Sequence, residues 1–199
     1  MNTLKNFVRA VLASGLLILG LGAVEKAQAL NNPDTMVITV QPDATYAVAI
    51  TSPEVQGYDF GLVAVAGTTI STMAIGVQNT GNIVEFFSLG VIDTTLGAGV
   101  AWTNNGASLA AGTTSYVMQG RFVATAAGQP AFASFNGAAN NIPVAPPSPA
   151  DSKFGQGTGL AGKTTPGSSK DLWLRLHMPT AVYESGVHTL VLSVNGQNL

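Results

Sequence analysis

Residues 157–164, Gly157-Thr158-Gly159-Leu160-Ala161-Gly162-Lys163-Thr164, match the phosphate-loop pattern G-x-x-x-x-G-K-S/T letter for letter, and the first six also satisfy G-x-G-x-x-G. Such a loop turns backbone N–H groups and a helix N-terminus onto phosphate oxygens, which requires a buried strand leading in and a helix leading out. Here the chain enters through Pro149, Ala150, Asp151, Ser152, Lys153 and Phe154 and leaves through Pro166, Gly167, Ser168 and Ser169. Neither flank supplies the required element, so the match is read as a decoy and no nucleotide is expected.

The other reactive side chains are as thinly arranged. His177, His188, Asp171 and Ser193 contain the residue types of a Ser-His-Asp set, but that chemistry needs a serine presented on a sharp elbow beside its base. No G-x-S-x-G segment provides one, and Ser193 falls inside an alternating run, so both histidines are read as exposed or edge-strand residues. Asp34, Asp43, Asp59, Asp93, Asp151 and Asp171 stand singly, without the every-second-residue spacing of a calcium loop, and read as turn and strand-end residues. The chain has 0 cysteines, which excludes disulfides, thiolate zinc, iron–sulfur clusters and a cysteine nucleophile. Catalytic, cofactor-binding and metal-binding residues are therefore expected to be none, and the chain is read as no enzyme. Aromatic stacking is the remaining chemistry: Trp102, Trp173, Tyr46, Tyr58, Tyr116 and Tyr183 are candidates for a sugar platform or, as the commoner fate of aromatic side chains, for core packing.

The elements that would carry these residues read as strands. Residues 35–40, 45–51, 70–78, 83–92 and 115–124 are short β-rich runs parted by Gly, Asn, Asp and Pro, and no segment after residue 30 keeps a helical apolar stripe for three turns. Near the end, Leu172, Leu174, Leu176 and Met178 alternate with Asp171, Trp173, Arg175 and His177. The first set is expected in the core and the second on the wet face, with Trp173 exposed beside Arg175. Leu190, Leu192 and Val194 repeat the alternation in a final strand. Short strands at this spacing predict an all-β fold, an immunoglobulin-like antiparallel β-sandwich. Residues 128–170, rich in Gly, Ser, Ala and Asn and carrying Pro146, Pro147 and Pro149, break the rhythm and read as a long irregular surface excursion with a short strand near 132–135.

Charge and the amino terminus bear on compartment. Only 9% of residues are charged against ~25% in ordinary soluble domains, and a net charge of -2 offers no footing for nucleic acid. Lys5 and Arg9, an apolar run from Val11 to Ala23, and Ala27-Gln28-Ala29 follow the three-part pattern of a secretory signal peptide. Cleavage after residue 29 is expected, leaving one domain over 30–199. Lys5, Arg9, Lys26 and Glu25 leave with the leader, so 8 basic and 10 acidic residues fall to 5 and 9.

Tyr58-Asp59-Phe60-Gly61-Leu62-Val63-Ala64-Val65-Ala66-Gly67, followed by Ile75-Gly76-Val77-Gln78-Asn79-Thr80-Gly81-Asn82, resembles the F-G-x-V-x-V-G … V-x-N-x-G signature of immunoglobulin-like repeats in bacterial surface proteins and in the ASPM/SPD-2/Hydin family. The resemblance implies that Phe60 and Val63 start a core strand, that Gly67 turns the chain, and that residues 79–82 make a tight turn. It covers roughly 25 residues, and it implies an adhesive, structural or partner-binding module with no catalytic residues to carry over. The expected function is a secreted bacterial cell-surface structural or interaction protein. On this reading it is extracellular or periplasmic, and a fibre or pilus-like subunit that pairs strands with other surface proteins or copies of itself. A secreted carbohydrate-binding module with glycan contact is the alternative. Residues 35–40, uncharged and alternating, have the composition of a strand donated to a neighbour, or of the first strand of their own domain.

Overall fold

The computed structural model describes residues 39–52, 57–93, 102–106, 111–145, 153–158, 162–182 and 186–198. The chain divides into two units, Met1–Pro42 and Asp43–Leu199, and the architecture below is that of the second. In order it contains β1 (Val48–Ser52), β2 (Thr68–Ile70), β3 (Ile75–Asn79), β4 (Phe86–Asp93), β5 (Thr103–Asn104), β6 (Ser115–Ala124), α1 (Gly137–Asn140), β7 (Ser169–His177) and β8 (Leu190–Gln197), with 3-10 turns at Phe132–Ser134 and Lys153–Gly155. The fold is all-β, with little helix among the described residues. β1, β3, β7, β6 and β5 lie side by side in that order, β2 also pairs with β7, and β4 and β8 form a second, two-stranded sheet. Every pairing is antiparallel except the short β5–β6 contact, where Thr103 faces Ser115.

Composition explains the two longest strands. β6 packs Tyr116, Val117, Met118, Phe122 and Val123 into one run, and β7 alternates leucines every second residue, the period at which side chains return to the same sheet face. Leu172, Leu174 and Leu176 are buried as expected and meet Ile75, Val77, Met118 and Phe122 from the large sheet and Phe87, Leu89 and Val91 from β4. Leu190, Leu192 and Val194 of β8 lean on the same cluster, partly buried. Gly120 permits this approach, because a Cβ there would lie 2.6 Å from Leu89 Cδ1 and 3.1 Å from Ile142 Cδ1.

Several expectations are corrected. The run 70–78 is two strands on one neighbour: β2 pairs with residues 175–177 and β3 with 169–172 of β7, and the chain leaves the sheet between them. Ser71 marks the exit, its N–H bonding Leu174 O while its Oγ accepts the Leu174 N–H. Phe60 and Val63 start no strand; residues 57–67 run irregularly, with Tyr58 and Phe60 edge-to-face on each other and partly buried against the core. The turn expected at Gly67 is there, with Gly67 N–H on Ala64 O, although the left-handed residue is Ala66 at φ 58. Most of the expected strand 35–40 lies outside the described residues, and Thr39 and Val40 are not in a strand.

The excursion is corrected most. Residues 132–134 form a 3-10 turn instead of a strand, and Phe135, Ile142 and Phe154 are buried core residues at 2%, 0% and 0% exposure. Phe154 holds φ 54, a left-handed backbone costing ~1–3 kcal/mol, which burial of its ring, worth ~1.5–3 kcal/mol, offsets. Residues 129–141 cover the outer face of β6 and β7, so Trp173 and Arg175 are buried at 6% and 8%. The expectation that this face is wet fails because a low-complexity segment supplies its cover.

Candidate functional site

Five strands at ~4.8 Å spacing span ~19 Å between their outer axes, whereas two strands span only ~5 Å. The β4–β8 pair cannot cover the inner face of the large sheet, and the mismatch leaves a groove of about 740 Å³ beside β8. Its floor is Ile75, Met118, Leu174 and Leu176; one wall is Leu190 and Leu192 of β8. Ile50, Leu62 and Val187 stand at its mouth with 40%, 107% and 89% of their surface exposed, so the apolar lining reaches solvent. Residues 57–63 partly roof it. Gly61 at φ 66 donates its N–H to Asp59 Oδ1 at 2.7 Å, and Tyr58 Oη accepts the Thr72 N–H at 2.6 Å, which fixes that segment.

Trp102 and His188 line the groove, and the buried Asp93 and Tyr116 stand behind them. His188 stacks on Trp102 at 3.5 Å between ring centroids, and its Nδ1 lies 2.9 Å from Asp93 Oδ2, which also accepts the Trp102 N–H at 2.6 Å. Asp93 ends β4 opposite Leu190, the first residue of β8, so this cluster ties the entry of β8 to the end of β4. Tyr116 lies below Trp102, ring centroids 6.5 Å apart, and burial, with Asp93 second, raises its phenol above the ordinary range.

The Ser-His-Asp set is not brought together. Ser193 Oγ donates to Gly90 O, Asp171 Oδ2 accepts the Ala126 N–H, and His188 pairs with Asp93 instead of Asp171. His188 is no exposed edge residue, since its side chain is only 6% accessible. His177 is half-buried between Thr68 Oγ1 at 3.1 Å and Gln119 Oε1 at 3.3 Å, and burial first, then the Arg175 charge, lowers its pKa.

Residues 159–161 of the phosphate-loop match lie outside the described residues. Of its flanks, the 3-10 turn at Lys153–Gly155 precedes it, and a turn at Pro166 and Gly167 leads into β7. Lys163 Nζ donates to Asn198 Oδ1 at 2.5 Å and sits 5.8 Å from the Phe86 ring, so it serves the surface of the β4–β8 sheet. Among the sugar-platform candidates, Trp173 and Tyr116 are buried, Trp102 is covered by His188, and Tyr46 is 42% exposed. Tyr183 lies outside the described residues.

Sequence reading missed two buried polar assemblies. Beneath the excursion, Arg175 donates to Gln119 Oε1 at 2.6 Å, Phe132 O at 2.9 Å and Phe135 O at 2.8 Å, and lies 4.5 and 5.4 Å from the Phe132 and Phe135 rings. Gln119 Nε2 in turn donates to Asn141 Oδ1. At the start of β4, Glu85 is fully buried against Gly196, its main chain bridged to Thr164. Burial pushes its carboxyl up to about 7; the Ala47 N–H pulls the other way without closing a hydrogen bond. A lone glutamate inside the apolar run Val84-Glu85-Phe86-Phe87 was the available signal for it. Among the described residues, no group of three or more His, Cys, Asp or Glu side chains could hold a metal, and no helix is long and apolar enough to cross a membrane.

No family model, curated protein or solved structure matches the chain.

Proposed function

We propose that this chain is a secreted bacterial cell-surface protein that works by association, a structural or fibre-forming subunit that pairs β-strands. On this reading residues 1–29 are an export leader. The two sheets act as an immunoglobulin-like sandwich of the kind found in bacterial surface repeats and ASPM/SPD-2/Hydin-type domains. The observation that carries the proposal is the apolar groove beside β8, whose lining reaches solvent through Ile50, Leu62 and Val187. Exposed contiguous apolar surface on a chain with 9% charged residues favours burial against protein. The scattered reactive side chains favour binding over catalysis, because His188, Asp171 and Ser193 are each engaged elsewhere. Burial of Trp173 and Tyr116 removes two stacking faces that a sugar platform would use.

Negative staining of the exported chain, with a glycan-array binding measurement on the same material, tests the proposal. Filaments or regular oligomers without glycan binding are expected. A monodisperse monomer at high concentration would overturn it, and saturable glycan binding by a monomer would favour the carbohydrate module.

A further inference from the structure

Sheet edges normally carry a device that keeps other strands away: extreme shortness, a bulge, a charge, a proline or a covering loop. Four of the five edges here have one. β2 and β5 are three and two residues long, and β1 carries a register shift between Ile50 and Ser52. β4 is plugged along its length. Glu85 bridges Thr164, the Phe87 N–H and C=O both bond the Gln156 side-chain amide, the Val91 N–H bonds Pro143 O, and Val91 O accepts from Asn104 Nδ2.

β8 is different. It pairs with β4 over eight residues in unbroken register, and its sequence, Leu190-Val191-Leu192-Ser193-Val194-Asn195-Gly196-Gln197, has no charge and no proline. Among the described residues, its backbone forms no pairing on the side away from β4. At Leu190 and Leu192 that edge borders the groove floored by Ile75, Leu174 and Leu176, and β1 packs against another part of β8.

Resting on the associative reading above, we infer that β8 is the acceptor edge and that its occupant is residues 35–40 of a second copy. Six extended residues span ~20 Å, within the ~27 Å of β8. In Thr35-Met36-Val37-Ile38-Thr39-Val40, the side chains of Met36, Ile38 and Val40 fall on one face at the period that directs Leu190, Leu192 and Val194 inward. Neither strand bears a charge, so register is set by filling the apolar groove. Direction favours a second copy over the same chain. Asp43 O is held by Asn82, and Asn79 joins Asn82's turn to Thr164 and Glu85, which packs on Gly196, so Asp43 lies toward the C-terminal end of β8. Residues 35–40 of the same chain would therefore run parallel to β8. A second copy can add them antiparallel, extending an antiparallel pair in the more stable arrangement.

The chain has no cysteine, so disulfide trapping reads the contact directly. Full-length chains exported with their own leader and carrying either Ile38→Cys or Leu192→Cys are mixed and oxidised. A cross-linked dimer between the two variants is expected. Val37→Cys and Thr39→Cys, on the opposite face, are expected to give at least ~5-fold less. Ile50→Lys, at an exposed position at the groove mouth, is expected to abolish assembly while leaving the thermal melt unchanged. A cross-link formed only within one chain carrying both cysteines overturns donation between copies and leaves association standing. Assembly that persists without any cross-link, or in Ile50→Lys, overturns the β8 acceptor and leaves association standing. Absence of assembly in the parent chain overturns both.

Discussion

Arg175→Ala tests whether the excursion is a seated part of the fold. The guanidinium makes three hydrogen bonds, to Gln119 Oε1, Phe132 O and Phe135 O, and among the described residues it forms no salt bridge. Hydrogen bonds from a charged donor contribute ~1.5–3 kcal/mol each, and a partly desolvated cation over aromatic rings adds ~1–2 kcal/mol. Against this stands desolvation of the guanidinium, several kcal/mol, which also lowers the Arg175 pKa. Truncation returns the two carbonyls to water only if residues 129–136 lift, and it leaves Gln119 Oε1 with His177 as its partner. The net cost is about 3–4 kcal/mol, and Arg175→Lys, which keeps the charge but loses the planar fork, should cost about half of that. Urea unfolding followed by tryptophan fluorescence reads the cost as a lower midpoint at unchanged slope. Hydrogen exchange should quicken in residues 129–141 before it changes in β6 or β7. A cost below ~1 kcal/mol with unchanged exchange would refute the reasoning, because the excursion would then be held by something other than Arg175.

Leu174→Ala should cost ~2–5 kcal/mol in the same assay, toward the lower end because Leu174 borders the groove and leaves less of a sealed cavity. Glu85 makes stability depend on pH: its folded pKa of about 7 exceeds the ordinary 4.5, so its share of stability is complete below pH ~4.5 and is lost as pH rises through about 7. That share is ~3 kcal/mol at most, and urea midpoints between pH 4.5 and 8 should fall in the parent but stay flatter in Glu85→Gln. Lys163→Ala should change stability by less than ~0.5 kcal/mol, since its bond to Asn198 is at the surface, and calorimetry should detect no ATP binding by either form.

The strands were legible where burial is set by the strand's own neighbours. β6 coincides with the predicted run 115–124, and β7 buries the predicted leucines, because a period of two in long apolar segments admits few alternatives. What failed depends on partners distant in sequence. Arg175 and Trp173 read as wet because their cover, residues 129–141, has no periodicity of its own. Residues 70–78 read as one strand because their composition is uniform, and only the pairing of both pieces with β7 reveals the break at Ser71. His188 read as an exposed or edge-strand residue because its partner Asp93 is 95 residues away. The groove was invisible in the sequence, because it results from unequal sheet widths, a property of strand order and not of any segment.

Hydrogen exchange of the full chain, measured by mass spectrometry in dispersed and assembled samples, reads strand addition at β8 directly. Amides of β8, residues 190–197, are expected to slow by at least ~10-fold on assembly, as the open edge gains a strand. Little change is expected in β4, residues 86–93, whose two edges are already engaged. Assembled protein in which β8 exchanges as it does in the monomer, or in which protection appears only at β1 or β5, would contradict the account.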